Sequence, residues 1–125
     1  MGKRIRIHVG LITMKAELRD SPTAEALWAA LPIEASVNTW GDEIYFPIPV
    51  DQDLDDMAAE VVEPGDLGYW PSGKAFCIFF GPTPASRGDE IRPASAVNVI
   101  GKVLGDAAAF KAIGNGERVR LEKDL

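Results

Sequence analysis

Cysteine and histidine are scarce in this 125-residue sequence, which has one of each, Cys77 and His8. A single thiol excludes a disulfide within the chain, so nothing calls for an oxidising compartment. The scarcity also excludes the Cys and His ligand sets of zinc sites, and we predict no metal. Because Cys77 lies between Phe76 and Ile78, we expect a packed thiol rather than a nucleophile.

Basic residues are also in short supply. Lys and Arg total 13 against 19 Asp and Glu, which gives a net charge of −6. A surface that binds phosphates needs clustered cations, so this balance opposes an approach to DNA or RNA. The one basic cluster, Lys3, Arg4 and Arg6, is short. We therefore predict no nucleic-acid partner.

Long apolar runs and cofactor motifs are missing as well. The strand-like stretch Phe76–Phe80 suits a buried strand and is far too short to span a bilayer. Charges interrupt the first residues, so we expect a cytoplasmic protein with no membrane partner. Asp51–Asp56 lacks the glycine and final glutamate of a calcium loop, and no glycine loop joins a strand to a helix. We predict no cofactor.

What the sequence does contain is a regular alternation of apolar and polar residues, which is typical of strands. The alternation and the turn residues predict about eight or nine strands, at 4–9, 13–18, 37–40, 43–46, 61–62, 67–70, 75–80, 97–103 and 119–121. A loop with three prolines fills 81–93. Closure of these strands into a barrel would remove exposed edges, so we predict one mainly β domain over residues 1–125.

Two helices interrupt the strands. Ser21 is a good N-cap with Pro22 at the first helical position, and Pro32 ends the segment. One apolar stripe runs along this helix through Ala24, Leu27, Trp28 and Leu31. Asp106 caps a second, shorter helix over 107–113. We expect helices this short to cap or plug the barrel.

The predicted hairpin 67–80 is apolar on both faces. Phe76, Ile78 and Phe80 point one way, while Cys77 and Phe79 point the other. A strand facing water would carry polar residues on one side, so this part of the sheet must be covered on both. The cover is either a helix or the proline-containing loop, or part of the face is an aromatic groove for a ligand.

Three long segments of the sequence are distinctive, namely VNTWGDEIYF at 37–46, GDLGYWPSGKAFCIFFG at 65–81 and PASAVNVIG at 93–101. They resemble a family of small uncharacterised prokaryotic proteins with a cyclophilin-like fold. The resemblance extends over nearly the whole chain and implies a closed barrel of about eight strands with one or two short capping helices. It implies no activity.

The Phe-x-x-Gln-Gly-Gly segment that true cyclophilins share does not occur here. Prolyl isomerisation needs only a positioned arginine donor beside an apolar pocket, because twisting the amide localises the nitrogen lone pair. Arg92, next to Pro93, and Arg87 are candidates by residue type. The alternative is that both are solvated loop charges.

Glu43 is the candidate acid–base residue. It shares a strand face with Tyr45, and Trp40 lies at the start of the same hairpin. A carboxyl among aromatic rings has its pKa raised by desolvation, which suits proton transfer. The alternative is that Glu43 is part of a hydrogen-bonded structural pair or faces solvent.

The remaining candidates are ligand contacts in an outer aromatic groove. Tyr69, Trp70 and Phe80 supply large apolar surfaces, and Asn98 supplies an amide within an otherwise apolar strand. Each has a structural alternative, as a core residue or as an amide that ties down a loop.

Three functions follow from these residues. The first is a module that binds a peptide or small molecule in the groove. The others are a divergent prolyl isomerase and an enzyme that acts on a small metabolite through Glu43. A homodimer through the apolar outer face is also compatible with the sequence.

Overall fold

The structure is a computed structural model that describes residues 3–125. Within this range the chain forms ten strands: β1 Arg4–Val9, β2 Ile12–Leu18, β3 Ile33–Ser36, β4 Asn38–Thr39, β5 Glu43–Pro47, β6 Ala58–Ala59, β7 Asp66–Trp70, β8 Ala75–Phe79, β9 Val97–Val103 and β10 Arg118–Lys123. Helix α1 spans Pro22–Ala30, and two 3-10 helices span Pro71–Gly73 and Ala107–Ala112.

The strands form one antiparallel sheet in the order β3-β10-β1-β2-β9-β7-β8-β5-β4, with β6 paired to β9. The two end strands are consecutive in the chain, and Val37 joins them. Its N–H donates to the carbonyl of Glu117 at 2.9 Å, and its carbonyl accepts from Gly116 at 2.8 Å. The sheet therefore curls into a nearly closed barrel, which confirms the predicted fold class.

The barrel interior holds the main core. Period-two alternation aims one face of each strand inward, so Ile5, Ile7 and Val9 of β1 are at most 1% exposed. Phe46 and Phe76 stack inside with ring centroids 5.3 Å apart. Leu27 of α1 is fully buried and joins this core.

A second apolar cluster lies on the outer face of β8 and β9. Its buried members are Val62, Ala75, Cys77, Phe79, Ile91, Val97 and Val99. The prediction that this part of the sheet is covered on both faces is confirmed. The cover comes from the connection between β8 and β9, residues 80–96, which we call the proline loop. It is pinned where the N–H of Val62 donates to the carbonyl of Ile91 at 3.0 Å.

Most predicted strand bounds are within two residues of the structure, and the main differences concern two strands and one helix. The strand Ile33–Ser36 was not predicted, because only Ile33 of its four residues is buried and the alternation is too short to recognise. The predicted strand at 61–62 lies instead at Ala58–Ala59, and Val62 forms only an isolated bridge. The second helix is a 3-10 helix, in which Asp106 accepts from the N–H of Ala108 at 3.0 Å.

Helix α1 forms as the sequence predicts. The Ser21 hydroxyl accepts from the N–H of Ala24 at 3.2 Å, and the helix ends at Ala30, before Pro32. Nowhere in residues 3–125 is a helix both long enough and apolar enough to cross a bilayer.

Candidate functional site

A pocket of about 210 Å³ opens on the outer face of the sheet, where β5 and β7 meet the proline loop. Seven residues line it: Trp40, Glu43, Tyr45, Trp70, Pro93, Ala94 and Val97. Its walls are therefore aromatic and aliphatic, and Glu43 supplies the one ionisable carboxyl among them.

The turn between β4 and β5 fixes one wall. The N–H of Trp40 donates to the carbonyl of Glu43 at 3.0 Å across the two-residue turn. Gly41 has a φ of +60°, and a Cβ there would lie 2.8 Å from Cδ of Pro84. The position needs glycine both for its backbone and for the close approach of the proline loop. This contact holds the loop beside Glu43.

Tyr45 and Trp70 form the opposite wall. Tyr45 pairs with Cys77 in the β5–β8 register, and Trp70 pairs with Ala75 in the β7–β8 register. Both rings are half-exposed and pack on the outer cluster. The indole N–H of Trp70 donates to Oγ of Ser95 at 2.6 Å, which ties this wall to the proline loop.

Glu43 is only 6% exposed although it lines the pocket. Burial raises the pKa of its carboxyl to about 7, and a contact with the Cys77 thiol offsets a smaller part of that rise. None of the ion pairs within residues 3–125 includes Glu43. The carboxyl therefore gains and loses a proton near neutral pH.

Cys77 lies beneath this carboxyl and is 1% exposed. Burial raises the pKa of its thiol well above the usual value, and the charge of Glu43 adds to that effect. A thiol that holds its proton is a poor nucleophile. Cys77 therefore acts as an apolar packing group in the outer cluster.

Four of the predicted groove residues meet in this pocket, namely Trp40, Glu43, Tyr45 and Trp70. Their roles in binding or catalysis stay predictions. Pro93, Ala94 and Val97 also line the pocket and were not predicted from the sequence. Of these three, only Val97 has a recognisable sequence pattern. It lies on the same strand face as Val99, at the end of β9 that follows the proline loop.

Two aromatic residues predicted for the groove lie inside the barrel instead. Tyr69 is fully buried, and its hydroxyl donates to the carbonyl of Val50 at 2.5 Å. Phe80 belongs to the inner core, with its ring centroid 6.2 Å from that of Phe110. The prediction that both line the outer groove is wrong, because Tyr69 must oppose Trp70 and Phe80 must follow Phe76 inward.

Asn98 also lies outside the pocket and is fully buried at the end of the barrel next to α1. Its Nδ2 donates to Oγ1 of Thr23 at 3.0 Å and to the carbonyl of Asp53 at 2.9 Å, and its Oδ1 accepts from the N–H of Asp55 at 2.8 Å. The amide connects helix α1 to the acidic loop. Both Nδ2 hydrogens and the Oδ1 are hydrogen-bonded within the protein, so the predicted position of Asn98 in the outer groove is wrong.

Arg92 does not line the pocket, although its neighbour Pro93 does. Its Nε lies 2.7 Å from a carboxylate oxygen of Glu90, within the proline loop. This hydrogen bond raises the pKa of the guanidinium and commits it to a local ion pair. Arg92 was predicted to be a catalytic residue, but in the structure its side chain is paired with Glu90 and does not line the pocket.

Comparison with known proteins adds the family. Residues 3–122 match the family model described as Cyclophilin-like. The chain belongs to this cyclophilin-like family. Among solved structures it is similar to that of the hypothetical protein AF2241 from Archaeoglobus fulgidus, with 42% sequence identity and a TM-score of 0.83. That similarity covers 98% of this chain and 95% of the archaeal one.

No curated protein matches the chain. The archaeal neighbour is itself described as hypothetical, so these similarities establish the family and the fold. The function of this cyclophilin-like protein must be argued from its pocket.

Proposed function

We propose that this cyclophilin-like protein is a binding module that holds a small, mainly apolar molecule in the outer pocket. The observation that carries the proposal is a concave aromatic site with one buried carboxyl, on a face where the rest of the apolar surface is already covered. Binding sites for small molecules commonly combine apolar walls with few polar groups that fix orientation.

The size of the pocket sets the size of the ligand. A closed cavity of about 150 Å³ holds one benzene molecule. At about 210 Å³ this pocket suits a molecule of roughly six to ten heavy atoms. A peptide could place one side chain here, but a free small molecule would fill the volume by itself.

Proton transfer is a second candidate function. The carboxyl of Glu43 has a pKa of about 7, so both protonation states are present at neutral pH. A general base works best when its pKa lies near the working pH. The apolar walls would exclude water from a bound substrate, and Glu43 would take or return the proton.

Prolyl isomerisation has less support. It would need an arginine donor that reaches the apolar pocket, and Arg92 is paired with Glu90 instead. No other arginine lines the pocket within the part of the chain that the structure describes.

The binding proposal is tested by titrating the protein with 3,3-dimethylbutan-1-ol, a neutral probe of seven heavy atoms, in ¹H–¹⁵N NMR spectra. We expect the indole signals of Trp40 and Trp70 to shift saturably. The third tryptophan, Trp28, lies on α1 beside Lys3 and Lys123 and serves as an internal reference. Equal shifts of all three indoles, or no shift with either this probe or its trimethylammonium analogue choline, would contradict the proposal.

A blocking variant gives the matched control. Ala94 is exposed at the pocket, so Ala94→Phe fills the space without disturbing the core. Ala109→Phe makes the same change at an exposed position of the second 3-10 helix. We expect the first variant to lose the saturable shift and the second to keep it.

Catalysis is tested in D₂O with 3,3-dimethylbutan-2-one, a ketone with the same tert-butyl group and the same number of heavy atoms as the alcohol. If Glu43 removes a proton from the carbon beside the carbonyl, deuterium enters the ketone methyl group faster than in buffer alone. The Glu43→Gln variant should fall to the buffer rate. Equal rates with wild type and buffer would remove this second candidate.

A further inference from the structure

The charge of the pocket indicates the chemistry of its ligand. Among the residues that line it, Glu43 is the one that can carry a formal charge near neutral pH. Cys77 on β8 contacts this carboxyl, and Phe79 lies opposite Glu43 in the β5–β8 register. The other side chains that line the pocket are aromatic or aliphatic. None of these side chains is a cation.

A carboxylate that is 6% exposed without a cation partner is costly to ionise. Buried ionised groups in proteins are usually paired, and here no Lys, Arg or His within residues 3–125 forms an ion pair with Glu43. A ligand that brings a positive charge into the pocket would supply the missing partner.

The walls suit such a charge. Trp40, Tyr45 and Trp70 all line the pocket, and aromatic faces attract organic cations through the quadrupole of the ring. The edge-to-face packing of Tyr45 on Trp70 sets the two ring planes at 79°, so the wall presents two differently oriented rings. The net charge of −6 also favours the approach of a cation over that of an anion.

We propose that the ligand of this pocket is a small organic ammonium ion, held by the Glu43 carboxylate and by the faces of Trp40, Tyr45 and Trp70. This inference rests on the proposed binding function and narrows it to one chemical class. An alkylated ammonium fits better than a metal ion, because the apolar walls would leave most coordination positions of a metal unfilled.

The test compares two probes of the same shape and size, choline and its uncharged analogue 3,3-dimethylbutan-1-ol. Both are titrated at about pH 8, where the Glu43 carboxyl is mostly ionised, and the indole signals of Trp40 and Trp70 report binding. We expect choline to bind about tenfold more tightly, because it gains both the ion pair and the contacts with the rings.

Two variants test whether Glu43 is the source of the preference for choline over the uncharged analogue. Glu43→Gln keeps the shape and removes the charge, so the preference should fall to the roughly threefold that ring contacts alone supply. Glu63→Gln makes the same change at an exposed position outside the pocket and should leave the preference intact. An unchanged preference in Glu43→Gln would overturn the role assigned to the carboxylate.

The outcomes separate the two proposals. If the uncharged analogue binds as tightly as choline or more tightly, the pocket is a binding site but the ammonium inference is wrong. If neither probe shifts Trp40 and Trp70, the proposed binding function fails as well, and the inference fails with it.

Discussion

The rings of Tyr45 and Trp70 meet edge to face, with centroids 6.5 Å apart and planes at 79°. Their strands, β5 and β7, flank β8, and β8 presents the small residues Ala75 and Cys77 on this face. The two rings therefore meet over small side chains of the central strand, beside the pocket that both of them line.

The Ser95 hydroxyl holds the Trp70 ring in place, so removing this hydroxyl should make the ring, and with it the pocket wall, less ordered. The Ser95→Ala variant loses the 2.6 Å hydrogen bond from the indole N–H. Because Ser95 is exposed, we expect unfolding free energy to fall by less than about 1 kcal/mol. Choline affinity should drop by about threefold or more, as the ring must be ordered on binding. Ser72→Ala, at an exposed serine outside the pocket, is the control, and equal affinities in both variants would contradict the assignment.

Burial of Glu43 should make stability depend on pH. Its pKa rises from 4.5 to about 7 on folding, so the folded protein holds this proton more tightly than the unfolded chain does. The protonated carboxyl therefore contributes fully to the free energy of unfolding below about pH 4.5, and this contribution is lost as pH rises through 7. The free energy of unfolding falls by about 3 kcal/mol in total.

The Glu43→Gln variant should remove this pH dependence, because glutamine carries no proton to lose. Urea unfolding of both proteins between about pH 4 and 8 measures it. We expect similar stability at the acidic end and a more stable variant at the basic end. Glu63→Gln should follow wild type, and parallel curves for wild type and Glu43→Gln would show that the carboxyl is not desolvated.

Asn98 should prove structural. The Asn98→Ala variant leaves the N–H of Asp55 and the carbonyl of Asp53 without their buried partner. We expect unfolding free energy to fall by about 2–4 kcal/mol, with choline affinity unchanged in the folded fraction. Asn115→Ala, where an exposed side chain accepts from Thr39 at 3.1 Å, should cost much less. Lost affinity with intact stability would return Asn98 to the ligand site.

Gly68 should be intolerant of a side chain. It pairs with Cys77 on β8, and a Cβ there would lie 2.9 Å from Cγ2 of Val97 and 3.1 Å from Cε2 of Phe79. We expect Gly68→Ala to destabilise the protein by about 1–3 kcal/mol through overpacking. Since Val97 lines the pocket, choline affinity should also fall. Gly114→Ala, where the nearest atom is 3.7 Å away, is the control, and equal unfolding midpoints for both variants would contradict this packing.

Much of the site could be predicted because it is built on local alternation. Glu43 and Tyr45 face outward together, since Ile44 and Phe46 fill the barrel, and Trp70 follows the same rule on β7. The same rule assigns Tyr69 and Phe80 to the interior. The prediction that they line the groove failed because it relied on their aromatic character and not on the alternation of side chains between the two faces of the strand.

The rest depends on contacts between distant parts of the chain. Pro93 and Ala94 reach the pocket because the proline loop is pinned by the bridge between Val62 and Ile91, which no local pattern indicates. The partners of Asn98 come from α1 and from the acidic loop. Which side chains satisfy a buried amide is decided by tertiary structure, so its role could not be settled from the sequence.

The central claim, that the outer pocket holds a small molecule, is tested most directly by intermolecular nuclear Overhauser effects. The methyl protons of bound choline should show cross-peaks to ring protons of Trp40, Tyr45 and Trp70, and none to Trp28. We expect these cross-peaks to disappear in Ala94→Phe and to persist in Ala109→Phe. Cross-peaks to Trp28 alone, or no cross-peaks with either choline or 3,3-dimethylbutan-1-ol at high concentration, would contradict the claim.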